Sequence, residues 1–160
     1  RTTGFLTMMS GLAGGADAIL IPEEDFDLLE LCDTLLERQK RGLLHNVILM
    51  AEGVGGNFKT NRDVNESYAY FVSRKIAEKT GQETRVIILG HLQRGGSPSV
   101  MDRIRASQMG AKAVEALING ETSIMVGVEG KQIVYTKIND VLKAKKEMDR
   151  ELYHLEKILT

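Results

Sequence analysis

The chain has 160 residues, of which 42% are hydrophobic and 27% charged, with a formal net charge of -1. This composition is ordinary for one globular domain and far from that of disordered or membrane-spanning chains, and no apolar run approaches the roughly 20 residues that cross a bilayer. The near-zero charge gives no bulk attraction to nucleic acid or anionic membranes. The single Cys32 excludes an internal disulfide and a cysteine-based zinc site.

The first third of the chain alternates between helical and extended patterns. Residues 5–13 are an apolar run closed by two glycines, which predicts a buried helix. Residues 18–21, directly before Pro22, are a short apolar run typical of a strand buried on both faces. A helical period with acidic residues at its start and basic residues at its end predicts a helix over residues 25–40. A second buried strand is predicted over residues 46–51.

The alternation continues through the rest of the chain. A helix is predicted over about residues 65–80, and a third apolar strand over residues 85–89. A long helix is then predicted over residues 99–118. Two short strands and a final charged helix are predicted over residues 124–128, 132–135 and 140–158.

Strands that alternate with helices imply right-handed crossovers and a parallel sheet covered on both faces. The predicted fold is therefore α/β, with three α/β/α layers and a largely parallel sheet. Ligands of such sheets bind beyond the carboxyl ends of the strands. The polar residues that follow the three apolar strands are thus expected to converge; they are Glu23, Glu24, Glu52, His91 and Arg94.

The segment GHLQRGGSP over residues 90–98 holds the most specific candidate site. His91 and Arg94 stand three residues apart among glycines, which let a backbone approach a ligand and take positive φ. A guanidinium group binds phosphate bidentately, and an imidazole adds a second donor. Each charge-assisted bond contributes about 1.5–3 kcal/mol net. The alternative is that His91 caps a strand and Arg94 only solvates a loop.

Three segments of the chain resemble the 6-phosphofructokinase family. The string GH-x-QRGG-x-P, within residues 88–115, is among the most specific motifs of that family. RTTG at residues 1–4 runs into GLAGGADAILIPE, and VILMAEG spans residues 47–53. The matches fall in the family's order over roughly residues 1–118.

The resemblance implies phosphoryl transfer from ATP or pyrophosphate to the 1-hydroxyl of fructose 6-phosphate, a step of glycolysis. It implies that Glu52 accepts hydrogen bonds from sugar hydroxyls, and that His91 and Arg94 hold the 6-phosphate. Arg85 matches an arginine that reaches the 6-phosphate in a neighbouring subunit. Arg1 matches an arginine near the transferred phosphoryl group, where it offsets developing negative charge.

Each of these roles has a plainer alternative. Glu52 could cap the following turn, and Arg85 could pair with Glu83 or Asp63 on the surface. Arg1 is terminal in this chain and could be disordered.

The family's compact bacterial members bind a nucleotide effector between subunits. Asp17 stands where they carry an acid that meets the effector's Mg²⁺, and Arg41 where they carry a basic residue. Leu43 stands where a second lysine is expected, and the segment between Glu52 and Arg85 is longer than in those members. Both departures count against activation by ADP.

Two family motifs do not occur in these 160 residues: a Gly-Gly-Asp-Gly loop and a Thr-Ile-Asp-Asn-Asp string, which hold the donor phosphates, the metal and the catalytic base. The chain also opens on Arg1 without an initiator Met. It is therefore expected to be the C-terminal, substrate-binding part, over residues 1–160, of a partial phosphofructokinase fold that is inactive alone. Residues 98–128 are expected to pack on the missing N-terminal, nucleotide-binding half, and Mg²⁺ to bind mainly through that half.

The resemblance further implies a cytoplasmic, allosteric homo-oligomer, such as a homotetramer, with a shared substrate site and no nucleic-acid or membrane partner. The chain itself offers no metal site. The donor, the catalytic base and the effector stay open. The alternative function is a non-catalytic sugar-phosphate-binding or assembly module. The coding sequence upstream of Arg1 distinguishes the two functions, because only the enzyme needs the two acidic motifs.

Overall fold

The structure, a computed structural model, describes residues 2–55 and 67–159, with side chains up to residue 155. The chain forms two compact units: unit 1 is Arg1–Ile88 with Met148–Thr160, and unit 2 is Leu89–Glu147. Unit 1 contains α1 (Phe5–Gly14), β1 (Ala18–Leu20), α2 (Leu28–Lys40), β2 (Ile48–Met50) and α3 (Tyr68–Thr80). The last helix of the chain, α6 (Arg150–Leu159), also belongs to unit 1. Unit 2 contains a 3₁₀ helix (Gly90–Gln93), α4 (Val100–Ile118), β3 (Ile124–Glu129), β4 (Gln132–Lys137) and α5 (Ile138–Lys143).

The sheet of unit 1 is parallel, as the sequence predicts. β1 pairs with β2, with Ala18 opposite Ile48 and Leu20 opposite Met50. One residue beyond the ladder, the Ala51 amide donates to the Leu20 carbonyl at 2.9 Å. The two strands therefore end together, and the residues that follow them leave from one edge of the sheet.

Helices cover both faces of this sheet because side chains of successive strand residues point to opposite sides. Leu20 belongs to a core cluster that includes Cys32 and Leu35 of α2 and buried residues of α3. Ile19 packs in a second cluster with residues of α1 and α6, which are Met8 and Tyr153. Unit 1 thus has the three α/β/α layers that the sequence predicts.

The last helix of unit 1 packs directly on β1. The Tyr153 hydroxyl donates to the Ile19 carbonyl at 3.1 Å, in a buried contact between residues 134 apart in sequence. The Asp149 carboxylate accepts from the Leu152 amide at 2.9 Å and so caps the start of α6.

The prediction of one helix over residues 140–158 is wrong, because α5 ends at Lys143 and α6 begins at Arg150. The intervening residues are mostly charged and offer little apolar surface to bury, so nothing holds them helical. The Asp149 cap then starts a new helix, which has its own packing partner in β1.

The prediction of a third strand over residues 85–89 is also wrong, since these residues are not in a strand. Among the described residues, only β1 with β2 and β3 with β4 form sheets. An extended segment becomes a strand only when a neighbour accepts its backbone hydrogen bonds. Ile87 is 81% exposed and Ile88 57%, so much of the apolar surface of this segment is open to solvent, although Val86 is half-buried.

Unit 2 combines α4 with a two-stranded hairpin. α4 starts in a capping box: the Ser99 side chain accepts from the Asp102 amide, and the Asp102 carboxylate accepts from the Ser99 amide. The Ser99 hydroxyl also donates to the Asp102 carboxylate at 2.8 Å. This bond and the one from the Ser99 amide lower the pKa of Asp102. β3 and β4 are antiparallel, with Glu129 opposite Gln132. No helix in the described part of either unit is long and apolar enough to cross a membrane.

Candidate functional site

Glu52 lies where β2 ends, at the carboxyl edge of the unit 1 sheet. It is exposed, while the preceding Ala51 is buried in the core. The Val54 amide donates to the Ala51 carbonyl at 3.1 Å, which turns the chain away from the strand. The edge that β1 and β2 share therefore presents an exposed carboxylate, the position that the sequence predicts for a ligand-binding acid.

Glu23 follows β1 at the same edge. Its carboxylate accepts from the Gly4 amide, at 2.8 Å to Oε1 and 3.0 Å to Oε2. The next residue, Glu24, lies 3.5 Å from the Nε atom of Arg150 on α6. Glu23, Glu24 and Glu52 thus follow two paired strands that end together, with Glu23 and Glu52 exposed; their convergence on one ligand stays a prediction.

His91 and Arg94 lie on an exposed turn in unit 2. His91 is inside the 3₁₀ helix Gly90–Gln93, and the Arg94 amide donates to the His91 carbonyl at 2.9 Å. Gly95 and Gly96 follow with φ of 124° and 93°, values that only glycine adopts readily. The expected positive φ is confirmed. Among the described residues, chain neighbours aside, no atom lies within 4 Å of the place where a Cβ would stand on either glycine.

Arg85 forms a surface ion pair with Glu83, which is the plainer alternative that the sequence analysis gives for it. Its guanidinium group lies 2.9–3.0 Å from Glu83 Oε1, and the two side chains are 83% and 76% exposed. Exposed pairs of this kind contribute about 0–1 kcal/mol. The pair can therefore open when a stronger anion arrives. Asp63, the other partner considered, lies outside the described residues, as does Arg1.

Asp17 is engaged in an ion pair that the sequence analysis missed. Its Oδ1 atom accepts from the Arg38 guanidinium group, and its Oδ2 atom accepts from the Val47 amide at 2.6 Å. Arg38 also donates from Nε to Asn46 Oδ1 at 2.8 Å. Arg41, the other predicted effector residue, is the exposed C-cap of α2. Each oxygen of Asp17 thus already accepts a hydrogen bond, and a cation that met Asp17 would share the carboxylate with these donors.

A signal for Arg38 was present in the sequence. Cys32, Leu35 and Arg38 are spaced by three residues, so they share one face of α2, and all three are buried. A charged residue on an apolar stripe requires a partner of opposite charge.

Cys32 is a fully buried core residue. Burial raises the pKa of its thiol, and a thiol with a raised pKa is a poor nucleophile.

The four residues proposed for the substrate divide between the units. Glu52 and Arg85 lie in unit 1, while His91 and Arg94 lie in unit 2. Across the two described ranges, no three His, Cys, Asp or Glu side chains are grouped so that they could hold a metal ion.

Comparison with known sequences gives consistent matches. A family model described as phosphofructokinase matches residues 1–117. The chain is 54% identical over 160 residues to an ATP-dependent 6-phosphofructokinase of Halothermothrix orenii, covering all of this chain and 48% of that protein. It is 44% identical to the protein of the same name from Clostridium novyi, covering 46% of it. The chain thus spans about half the length of the curated relatives it matches.

Solved structures resemble the chain as well. Pichia pastoris phosphofructokinase in the T-state matches with a TM-score of 0.73 and 29% identity, over 89% of this chain and 15% of that one. A pyrophosphate-dependent phosphofructokinase from Marinobacter aquaeolei matches with a TM-score of 0.74 over 94% of this chain and 40% of that one. At 22% identity, the second likeness concerns the fold alone.

Proposed function

This chain belongs to the phosphofructokinase family, and we propose that it is the fructose-6-phosphate-binding, C-terminal half of an ATP-dependent 6-phosphofructokinase. The complete protein transfers a phosphoryl group from ATP to the 1-hydroxyl of fructose 6-phosphate. The observation that carries the proposal is the 54% identity to an enzyme of that name across all 160 residues.

The proposal gives each sequence-predicted residue a chemical task. Glu52 accepts hydrogen bonds from sugar hydroxyls, which suits an exposed carboxylate at the carboxyl edge of a parallel sheet. Arg94 and His91 bind the 6-phosphate from a turn whose glycines leave room for an anion. Arg85 binds the 6-phosphate of a neighbouring subunit once it leaves Glu83. Arg1 stabilises the charge that develops on the transferred phosphoryl group.

We assign the binding of the phosphoryl donor and of its metal ion to the part of the protein outside this chain. The curated relatives are named ATP-dependent, which favours ATP over pyrophosphate. The Mg²⁺ ion that accompanies ATP requires oxygen ligands, and the described residues offer no cluster of side chains for it. We propose that Mg²⁺ binds mainly through the other half of the complete protein, while the residues of this chain named above act on the sugar. Their task is to bind the sugar phosphate and orient its 1-hydroxyl.

The proposed assembly is a homo-oligomer, because Arg85 is expected to complete the site of a neighbouring subunit. Its proposed location is the cytoplasm. Asp17 and Arg41 remain a prediction for an effector site between subunits. In that role the Asp17 carboxylate would meet the effector's cation while it also accepts from Arg38 and the Val47 amide.

The activity is tested on the complete protein that contains this chain. Purified protein is supplied with fructose 6-phosphate and either ATP or pyrophosphate, and formation of fructose 1,6-bisphosphate is followed by a coupled assay. We expect turnover with ATP. No turnover with either donor, together with calorimetric binding of fructose 6-phosphate, would favour the non-catalytic binding module and overturn the enzyme proposal.

We further propose that the apolar face of α4 is covered by the other half of the enzyme, as predicted for residues 98–128. Several large apolar side chains of α4 are exposed here: Val100, Met101, Ile104, Val114, Leu117 and Ile118. Six exposed large apolar side chains on one helix are typical of a surface that another part of the protein covers.

The isolated 160-residue chain should therefore be poorly stable, since this surface stays in water. Purified alone, it should bind an apolar fluorescent dye and melt over a broad temperature range, whereas the complete protein should melt cooperatively with little dye binding. A sharp, cooperative melt of the monomeric chain would contradict the proposed cover.

A further inference from the structure

A cavity of about 590 Å³ opens on the surface of unit 1, where α2 and α3 begin. Its volume falls in the range of about 300–1,000 Å³ that small-molecule sites have. The described residues that line it are all acidic or apolar, and none is basic; they are Asp25, Asp27, Glu30, Phe26, Leu28, Tyr68 and Phe71. Neither Glu52, Arg85 nor the turn with His91 and Arg94 lines it. The cavity is therefore a separate candidate site.

The carboxylates of the cavity have no cationic partner. Asp25, Asp27 and Glu30 are exposed, and none of them forms an ion pair within the part of the chain that the structure describes. The starts of α2 and α3 together supply about one positive charge. Three carboxylates therefore leave the cavity with a net charge of about -2, which attracts a cation.

The three carboxylates do not meet at one point. In the two described ranges, no three Asp, Glu, His or Cys side chains are grouped closely enough to hold a metal ion. A ligand that contacts all three carboxylates must therefore extend along the cavity and carry more than one positive charge.

The apolar part of the lining is largely aromatic and is held in place. The rings of Tyr68 and Phe71 stack with their centroids 5.6 Å apart and an interplanar angle of 21°. Tyr68 is only 7% exposed, and a Cβ on Gly55 would lie 2.5 Å from its Cδ1 atom, so the Gly55 backbone lies against the ring. Aromatic faces attract ammonium groups, and their apolar surface packs against the methylene groups of a cationic chain.

We propose that this cavity binds an aliphatic polyamine, whose ammonium groups meet the three carboxylates while its methylene groups lie on the aromatic rings. A polyamine has the two properties that the lining requires, which are separated positive charges and apolar links between them. The inference does not depend on the proposed function, because the two sites share no residue.

Spermidine is the probe for this site, titrated into the complete protein by isothermal calorimetry. We expect saturable binding with a Kd on the order of 0.1–1 mM at low salt, the affinity that a few exposed charge and ring contacts provide. Raising NaCl to about 0.5 M should weaken the binding, since salt screens exposed charges. An uncharged diol of similar length should not bind.

Two charge variants test the carboxylates. Asp25→Asn combined with Glu30→Gln should raise the Kd for spermidine about 5- to 20-fold, while Asp27 stays in place because its side chain caps α2. Asp33→Asn is the matched control, since Asp33 is an exposed acid of the same helix that does not line the cavity. It should leave the Kd within about twofold of wild type.

Two further variants test the aromatic lining. Phe71→Leu keeps an apolar side chain but removes the ring face, and should raise the Kd about threefold or more. Tyr70→Leu removes an exposed ring of the same helix that does not line the cavity, and should leave the Kd unchanged. Thermal melts establish that each variant is folded, and Phe26→Leu replaces Phe71→Leu if the latter unfolds.

The inference is overturned if spermidine gives no saturable heat with the wild-type protein, or if the Asp25→Asn, Glu30→Gln variant binds it as tightly as wild type. Equal weakening by Asp33→Asn, or an unchanged Kd in the folded aromatic variant, would also overturn it, because either result indicates only a general attraction to an acidic surface. A wild-type protein that phosphorylates fructose 6-phosphate but binds no spermidine refutes this inference and leaves the proposed function standing.

Discussion

Replacing Arg94 by alanine in the complete enzyme is expected to raise the KM for fructose 6-phosphate about 10- to 100-fold, because a charge-assisted phosphate contact contributes about 1.5–3 kcal/mol. Arg94 is exposed and follows a turn in which Gly95 and Gly96 leave the backbone open. A bidentate guanidinium contact to a phosphate needs that free approach. The KM for ATP should barely change, since ATP carries no part of this contact. Steady-state kinetics with each substrate varied in turn measure both values.

Arg105 supplies the control for this experiment. It is an exposed arginine of the same unit, on α4, with no proposed substrate contact. Arg105→Ala should leave the KM for fructose 6-phosphate nearly unchanged, which separates loss of the phosphate contact from a general loss of positive charge. His91→Ala should act in the same direction as Arg94→Ala. An unchanged KM for fructose 6-phosphate in both Arg94→Ala and His91→Ala would contradict phosphate binding by this turn.

Replacing Arg38 by methionine should lower the free energy of unfolding by about 3–5 kcal/mol, the usual cost of removing one partner of a buried ion pair. The Arg38 and Asp17 side chains are only 10% and 16% exposed. Without Arg38, the Asp17 carboxylate keeps only the Val47 amide, and Asn46 Oδ1 loses its donor. Equilibrium unfolding of the complete protein in urea measures the change.

Two further variants test whether the pair itself is responsible. Arg38→Met combined with Asp17→Leu should lose less than the sum of the two single losses, since no uncompensated charge remains. Lys40→Ala breaks the surface ion pair between Lys40 and Glu37. The side chain of Lys40 is 70% exposed and that of Glu37 is 66% exposed. It should change the stability far less than Arg38→Met does. Equal losses for Lys40→Ala and Arg38→Met would show that the buried pair has no special weight.

The elements of unit 1 that the sequence predicts well are those whose signals are local. α1 is expected over residues 5–13 and found at Phe5–Gly14. α2 begins later than expected, at Leu28, because the Asp27 side chain accepts from the Leu29 amide and caps the helix there. The buried strand β1 and the half-buried strand β2 follow from short apolar runs before polar turns. The two helices are determined by residues near in sequence, while β1 and β2 also depend on their pairing with each other across 30 residues.

The features that the sequence analysis missed depend on distant partners. The apolar run over residues 85–89 has the composition of a strand, but a strand also requires a neighbour for its hydrogen bonds. Glu23 and Gly4 are 19 residues apart, and the sequence around either residue does not predict that the two form a hydrogen bond. The turn with His91 and Arg94 was predictable because its glycines, its guanidinium group and its imidazole lie together in one short segment.

The hydrogen bond between Tyr153 and Ile19 has a consequence for how the protein folds during its synthesis. α6 closes one side of the first strand, although 134 residues separate the two bonded groups. On the ribosome, β1 emerges long before α6, and a contact across so long a loop forms late. The apolar face that Tyr153 covers must therefore stay open through most of translation. A nascent chain stalled before residue 148 should be digested by protease around β1, and full protection should follow only after α6 has left the exit tunnel.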